Sequence, residues 1–190
     1  MHTANKISNI LPPVLNRRIG YFFLKLFALF SIWFVVYALI LRPPRIIDRP
    51  LTNFITSTVT SCINILSPST VPVSWIDLQD EGRAHITQNG QKVFGVFDVC
   101  NGIDLMFIYV GIIVLLPYPL KRKMMVCIGG VIAIIIANII RVTALYFINV
   151  YQHSAFDFSH HYLFTILMYI LIFYGWLLFI KKGKTDEKSS

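Results

Sequence analysis

Charge is what this 190-residue chain has least of: Asp, Glu, Lys and Arg make up 14% of it against 56% hydrophobic residues, and its mean hydropathy is +0.66. That balance excludes an ordinary soluble domain and indicates an integral membrane protein. The length suits about one compact domain, with no room for a large soluble enzyme beside a membrane bundle. Cysteine is scarce too. Cys62, Cys100 and Cys127 are odd in number and irregular in spacing, so they form neither a disulfide framework nor a metal-ligand pattern. Without a Cys-x-x-Cys pair or a second thiol at the depth of Cys100, a thiol oxidoreductase is not supported. Acidic residues are also few, nine against seventeen Lys and Arg, for a net charge of +8. In a soluble chain that excess would suggest nucleic acid. Here the basic residues cluster beside apolar runs, so membrane topology explains them and no nucleic-acid partner is expected. Internal repeats and low-complexity segments are absent.

What is present is apolar sequence in long runs. A membrane-crossing helix takes about 20 apolar residues, and four stretches qualify: residues 21–41, 100–120, 124–150 and 162–180. Lys25, near the start of the first, can snorkel to the interface. The first run is too long for the apolar region of a cleaved signal peptide and no Ala-x-Ala site follows it, so it reads as a retained anchor. Ten of the seventeen basic residues lie in three groups: Lys6, Arg17 and Arg18; Lys121, Arg122 and Lys123; and Lys181, Lys182, Lys184 and Lys188. Four spans put all three groups on one side, which is then the cytoplasm. Both termini (residues 1–20 and 181–190, the latter read as an irregular tail) are thus expected inside, and residues 42–99 outside.

The outer segment has its own pattern. Leu51, Phe54, Ile55, Val59, Cys62, Ile63 and Leu66 recur at helical spacing, with Thr, Ser and Asn on the other face, so residues 51–66 predict an amphipathic helix lying on the membrane surface and stopped by Pro68 and Pro72. Over residues 73–98, a turn at Asp80, Glu81 and Gly82 and the dipeptide Asn89-Gly90 predict a small β meander. The fold class expected is an all-α polytopic membrane protein with four transmembrane helices, an outer amphipathic helix and an extracytoplasmic β meander.

That topology sets the depth of each reactive side chain. Cys100 stands at the outer mouth of the second span. Arg141 lies seventeen residues beyond Met124, about 26 Å along a helix, and so in the outer leaflet. His160 and His161 open the fourth span from outside. A thiol, a guanidinium and an imidazole from three helices thus reach one level. A guanidinium inside an apolar run costs about 2.5–3.5 kcal/mol at the bilayer centre and calls for a partner. It either snorkels to lipid phosphates or faces the bundle, with Asn138 on the same helix face. Facing the bundle, Arg141 would favour a thiolate at Cys100 and donate to an oxyanion, while a histidine moves the proton. Asp98, Asp104 and Asp157 are candidates for orienting a histidine or the arginine. Cys127 and Cys62 read as small buried hydrophobes; Cys62 has the alternative of a disulfide with Cys100. His153 and His85 read as loop and hairpin residues.

The runs DVCNGIDLM (Asp98 to Met106), NIIR (Asn138 to Arg141) and FDFSHHYLF (Phe156 to Phe164) resemble the exosortase and archaeosortase family, in which a Cys-x-Gly motif at an outer helix mouth, an Asn-x-x-Arg motif in the next helix and a later His form the active site. The resemblance covers residues 98–180, within an expected core of 100–180. It implies a membrane-embedded cysteine transpeptidase or protease of the plasma (inner) membrane, without cofactor or metal. Its partners would be membrane lipid, an exported protein whose C-terminal sorting signal has a short motif, one transmembrane helix and a basic tail, and an acceptor the sequence does not name. Carried over to this chain, Cys100 forms the acyl-thioester, Arg141 stabilises the transition state, and a histidine transfers protons. His161 is preferred to His160 because Thr165, four residues on, stands where the family often has Gly. Asn138, Asn101, Gly102, Asp98 and Asp104 are the supporting positions. Four spans match the family's shorter members, and the histidines follow Arg141 more closely than in longer ones.

Two other classes compete. In a membrane scaffold or permease component, Arg141 and the histidines would form a structural polar cluster and Cys100→Ala would be harmless. A metal site on His160, His161 and Asp157 is disfavoured because adjacent helical residues point about 100° apart.

Overall fold

The computed structural model describes residues 13–67, 71–78 and 81–188. Residues 1–12 of the expected N-terminal segment, the stop at Pro68, Asp80 of the first turn, and residues 189–190 lie outside the described residues, as do the side chains of Arg18, Lys182, Lys184 and Lys188.

The described chain opens with helix α1 (Pro13–Val36), continued by a π-helical turn, Tyr37–Leu41. Helix α2 (Asp48–Leu66) follows. Strands β1 (Ser74–Leu78), β2 (Arg83–Gln88) and β3 (Gln91–Phe97) form an antiparallel sheet in the order β1-β2-β3. Asn89 and Gly90 join β2 to β3 at φ 53° and 75°, the left-handed pair that a two-residue hairpin turn requires. A 3₁₀ turn, Asp98–Cys100, leads into α3 (Ile103–Leu115) and then α4 (Leu120–Tyr151). The helical turn α5 (Phe156–Phe158), a π-helical turn (Ser159–Leu163) and α6 (Phe164–Lys188) complete it.

Among the described residues three helices are long and apolar enough to cross a membrane: Ile19–Leu41, Leu120–Tyr151 and His153–Lys181. The second expected span, residues 100–120, is not one of them. Only Ile103–Leu115 is helical there, 13 residues or about 20 Å at 1.5 Å per residue, because Pro117 and Pro119 cannot continue a helix. At the other end the C-terminal tail is not irregular: the α6 backbone stays helical to Lys188. The faces of α1 and α6 expose Phe23, Phe27, Ile32, Phe34, Ile166, Ile170 and Phe173, as suits surfaces solvated by lipid.

Two cores hold the fold. At the basic end, Tyr109, Met106, Ile113, Ile134, Met168 and Ile172 join α3, α4 and α6. The Tyr109 ring lies against Gly130, where a Cβ would come within 2.0 Å of it, and against Gly175. Close helix approach there needs the missing side chains. Arg122 donates to the Phe179 carbonyl at 2.6 Å and sits 4.9 Å from the Tyr118 and Phe179 rings. At the sheet end, Ile55, Val59 and Ile63 of α2, Ile86, Phe94 and Val96 of the sheet, and Val142, Leu145 and Tyr146 of α4 form the second core.

Helix α2 is therefore not a surface-lying helix with a buried apolar face alone. Thr52, Thr56 and Thr60 are buried beside Ile55, Val59 and Ile63, whereas Phe54 and Leu66 are exposed. The threonines tolerate burial because the Thr56 and Thr60 hydroxyls donate to the carbonyls four residues earlier, at 2.7 and 2.8 Å, and Thr52 donates to Asp98. Satisfied this way, a threonine packs almost as a valine would.

Candidate functional site

Cys100 occupies the last position of the 3₁₀ turn between β3 and α3. The backbone then reverses through Gly102 at φ 85°, a conformation that only glycine adopts without strain. Asn101 fixes the reversal: its Oδ1 accepts the Ile103 N–H at 2.9 Å and its Nδ2 donates to Asp48 Oδ1 at 2.9 Å. Asn138, fully buried in α4, donates from Nδ2 to the Cys100 carbonyl at 2.9 Å. Both asparagines thus set where the thiol stands without touching it.

The thiol faces a histidine. Cys100 Sγ lies 3.6 Å from His160 Nε2, a sulfur–nitrogen hydrogen bond. His160 is held by stacking on Phe156, with ring centroids 5.7 Å apart and planes 5° apart, and Phe156 stacks in turn on His153. Of the two histidines the structure brings His160 to the thiol, not the expected His161, whose side chain is exposed and meets the His160 ring edge-on at 4.7 Å. The π-helical turn at Ser159–Leu163 is the cause. It inserts one residue into the helical repeat, so that Thr165 Oγ1 reaches back five residues, to the His160 carbonyl at 3.4 Å.

Arg141 completes the group. It shares the face of α4 with Asn138 and lines one cleft with Cys100 and His160; Phe94 to Phe97 of β3, Val142, Leu145 and Phe156 form the rest of the wall. Its Nε is buried and, among the described residues, has no hydrogen-bond partner. An N–H so placed carries a desolvation cost that a ligand oxygen would remove. Burial pushes the Cys100 thiol above its ordinary pKa, and the nearby Arg141 charge draws it only part of the way back. His160 Nε2 is the ring nitrogen within hydrogen-bond reach of that sulfur.

The remaining candidates fall elsewhere. Asp98 orients neither histidine nor Arg141. It accepts from Arg45 Nε at 2.5 Å and Nη2 at 2.8 Å, and from Thr52 Oγ1 at 2.7 Å. Asp104 is exposed at the start of α3, beside Trp33 and Asp48 rather than the cleft. Asp157 is exposed, and no group of three or more His, Cys, Asp or Glu is placed to hold a metal among the described residues. Cys62, Cys100 and Cys127 are free thiols, which removes the Cys62–Cys100 disulfide. His153 is exposed against Asn149. His85 lies over Gly95 with both ring nitrogens buried and unpartnered.

Sequence reasoning missed the scaffold beside the site. Arg45, held at φ 52° after Pro43-Pro44, bridges Asp98 and Asp77, and Arg49 donates to Asp77 at 2.7 Å. Burial works to raise the Asp77 carboxyl, but hydrogen bonds from Asn53 and Arg49 and the two guanidinium charges outweigh it and hold the group below the ordinary carboxylate range. The available signal was charge balance: residues 42–99 carry five basic and five acidic side chains.

No curated protein and no solved structure matches the chain. The family described as transmembrane exosortase (Exosortase_EpsH) matches residues 17–181. That range includes the thiol, the arginine and both histidines, and the chain belongs to the transmembrane exosortase family.

Proposed function

We propose that this protein is a membrane-embedded cysteine transpeptidase that cleaves C-terminal sorting signals of exported proteins and transfers them to an acceptor. The observation that carries the reading is the thiol 3.6 Å from an imidazole nitrogen in a cleft that also holds an unpartnered guanidinium N–H. Family membership supports the same reaction class.

In this reading both termini are cytoplasmic, the sheet and cleft lie on the outer side of the plasma membrane, and short α3 with its flanking loops completes a fourth crossing. A client's transmembrane helix enters from lipid with its motif at the height of Cys100. His160 Nε2 takes the thiol proton as sulfur attacks the scissile carbonyl, and Arg141 donates to the developing oxyanion. The C–N bond breaks, His160 returns the proton to the leaving amine, and a thioester remains. An acceptor amine or hydroxyl then loses its proton to His160 and attacks the thioester, and Cys100 leaves as the thiol. The apolar wall of Phe94, Val96, Leu145 and Phe156 disfavours water as the acceptor.

The test uses the full chain in lipid nanodiscs with a client bearing motif, helix and basic tail. Mass spectrometry is expected to find an acyl adduct on Cys100 and none in Cys100→Ala, which folds but does not cleave. Undiminished cleavage by Cys100→Ala would establish the structural-cluster alternative instead.

A further inference from the structure

The wall of the cleft opposite α4 is a strand edge. In the order β1-β2-β3, strand β3 pairs on one side only. Its successive residues Phe94, Gly95, Val96 and Phe97 all line the cleft, although Phe94 and Val96 belong to the packed face of the sheet and Gly95 and Phe97 to the other. Residues of both faces meet a common space only along the edge. The backbone register agrees. Asp98 N–H donates to the Gly82 carbonyl, so Val96 and Phe94, which alternate with it, also point toward β2, and the N–H and C=O of Gly95 and Phe97 point outward. Among the described residues no backbone partner meets them there. One turn farther from the thiol the edge is closed, where Asn149 Nδ2 donates to the Val93 carbonyl at 3.4 Å. The open stretch is thus bounded, and it runs directly into Cys100.

We propose that this edge binds the peptide substrate by strand addition: the extended segment preceding the scissile bond lies on β3 as a fourth strand, parallel to it. The occupant follows from continuity with the thiol, and so the inference rests on the peptidase reading above. The direction follows from the chain path. β3 runs toward Cys100 and then into the apolar α3, and a client whose motif precedes a membrane helix descends in the same sense. In parallel pairing one client residue donates its N–H to the Gly95 carbonyl and accepts from the Phe97 N–H; its two neighbours turn their amides away. Main-chain bonds supply affinity and alternate side chains supply selectivity. The side chains of one set face Arg141, Leu145 and Phe156.

The test is an amide-to-ester scan. Synthetic peptides carry the motif and transmembrane helix of a client from the same cell, each with one backbone N–H before the scissile bond replaced by oxygen. Cleavage by the native protein and binding to Cys100→Ala are measured for every peptide in nanodiscs. Alternation is expected within that stretch: at the two positions whose N–H meets the Gly95 and Phe97 carbonyls kcat/KM and affinity fall about tenfold, and at the position between them and at those farther from the scissile bond they change less than about twofold. Cleavage with uniform small effects, or with losses only on changing side chains, overturns strand addition and leaves the peptidase standing. Alternating losses in binding without any cleavage retain strand addition and overturn the peptidase. A parent peptide neither bound nor cleaved overturns both.

Discussion

Two arginines near Cys100 are held on opposite terms. Arg45 spends its guanidinium on structure: Nε and Nη2 on Asp98, Nη1 on the Leu78 carbonyl and close to Asp77. Arg141, lining the cleft with the thiol from α4, keeps a buried Nε–H without a partner among the described residues. One guanidinium is fully used by carboxylates and a carbonyl, and the other keeps a buried N–H open toward the cleft. The satisfied network fixes the turn from which Cys100 projects; in the proposed reaction the unsatisfied N–H and the thiol supply the chemistry.

The largest break in that contrast comes at Arg141. Arg141→Gln in nanodiscs is expected to lower kcat for client cleavage by about 10²–10³-fold with thermal stability unchanged, because no hydrogen bond at Nε is lost. A fall in stability without a fall in kcat would make Arg141 a second Arg45. His160→Gln follows, with a loss of about 10²-fold or more, whereas His161→Gln changes the rate only a few-fold. Equal losses would place both rings in the proton transfer.

Arg45→Met sharpens the other side. Asp98 and Asp77 lose their shared cation while their side chains are only 14% exposed, and breaking such a pair costs about 3–5 kcal/mol. Denaturation should register it, while the fraction that folds retains its kcat. The smallest effect is a shift in titration. Burial raises the Cys100 thiol and Arg141 lowers it, so removing the cation raises it further. In Arg141→Gln, alkylation of Cys100, which needs the thiolate, should reach half its maximal rate at a higher pH than in the native protein. An unchanged midpoint would mean that the guanidinium charge does not reach the sulfur.

Much of the site was legible because depth in a membrane follows from counting. Basic loops orient the spans and helical rise sets the level, so Cys100, Arg141 and the histidine pair could be placed together before any contact was known. Asn138 and Arg141, three residues apart, do share one face. The choice between His160 and His161 was not legible. It depends on a π-helical turn that apolar periodicity does not mark, since His160, His161, Tyr162 and Leu163 fit either spacing. The second span was overestimated because hydropathy ignores what Pro117 and Pro119 do to backbone hydrogen bonding. The face of α2 was misjudged for a related reason: a polar residue such as Thr56 can bury its hydroxyl on the preceding turn.

Composition and the order of motifs thus determined by themselves that this protein lives in a membrane and that it belongs to the exosortases, and they singled out Cys100, Arg141 and the histidine pair as one group. Tertiary structure decided which histidine meets the sulfur, which arginine is tied to carboxylates and which is left open, and that a bare strand edge leads to the thiol. Those outcomes turn on contacts a few ångströms long between segments as many as 60 residues apart, and local periodicity carries no information about them.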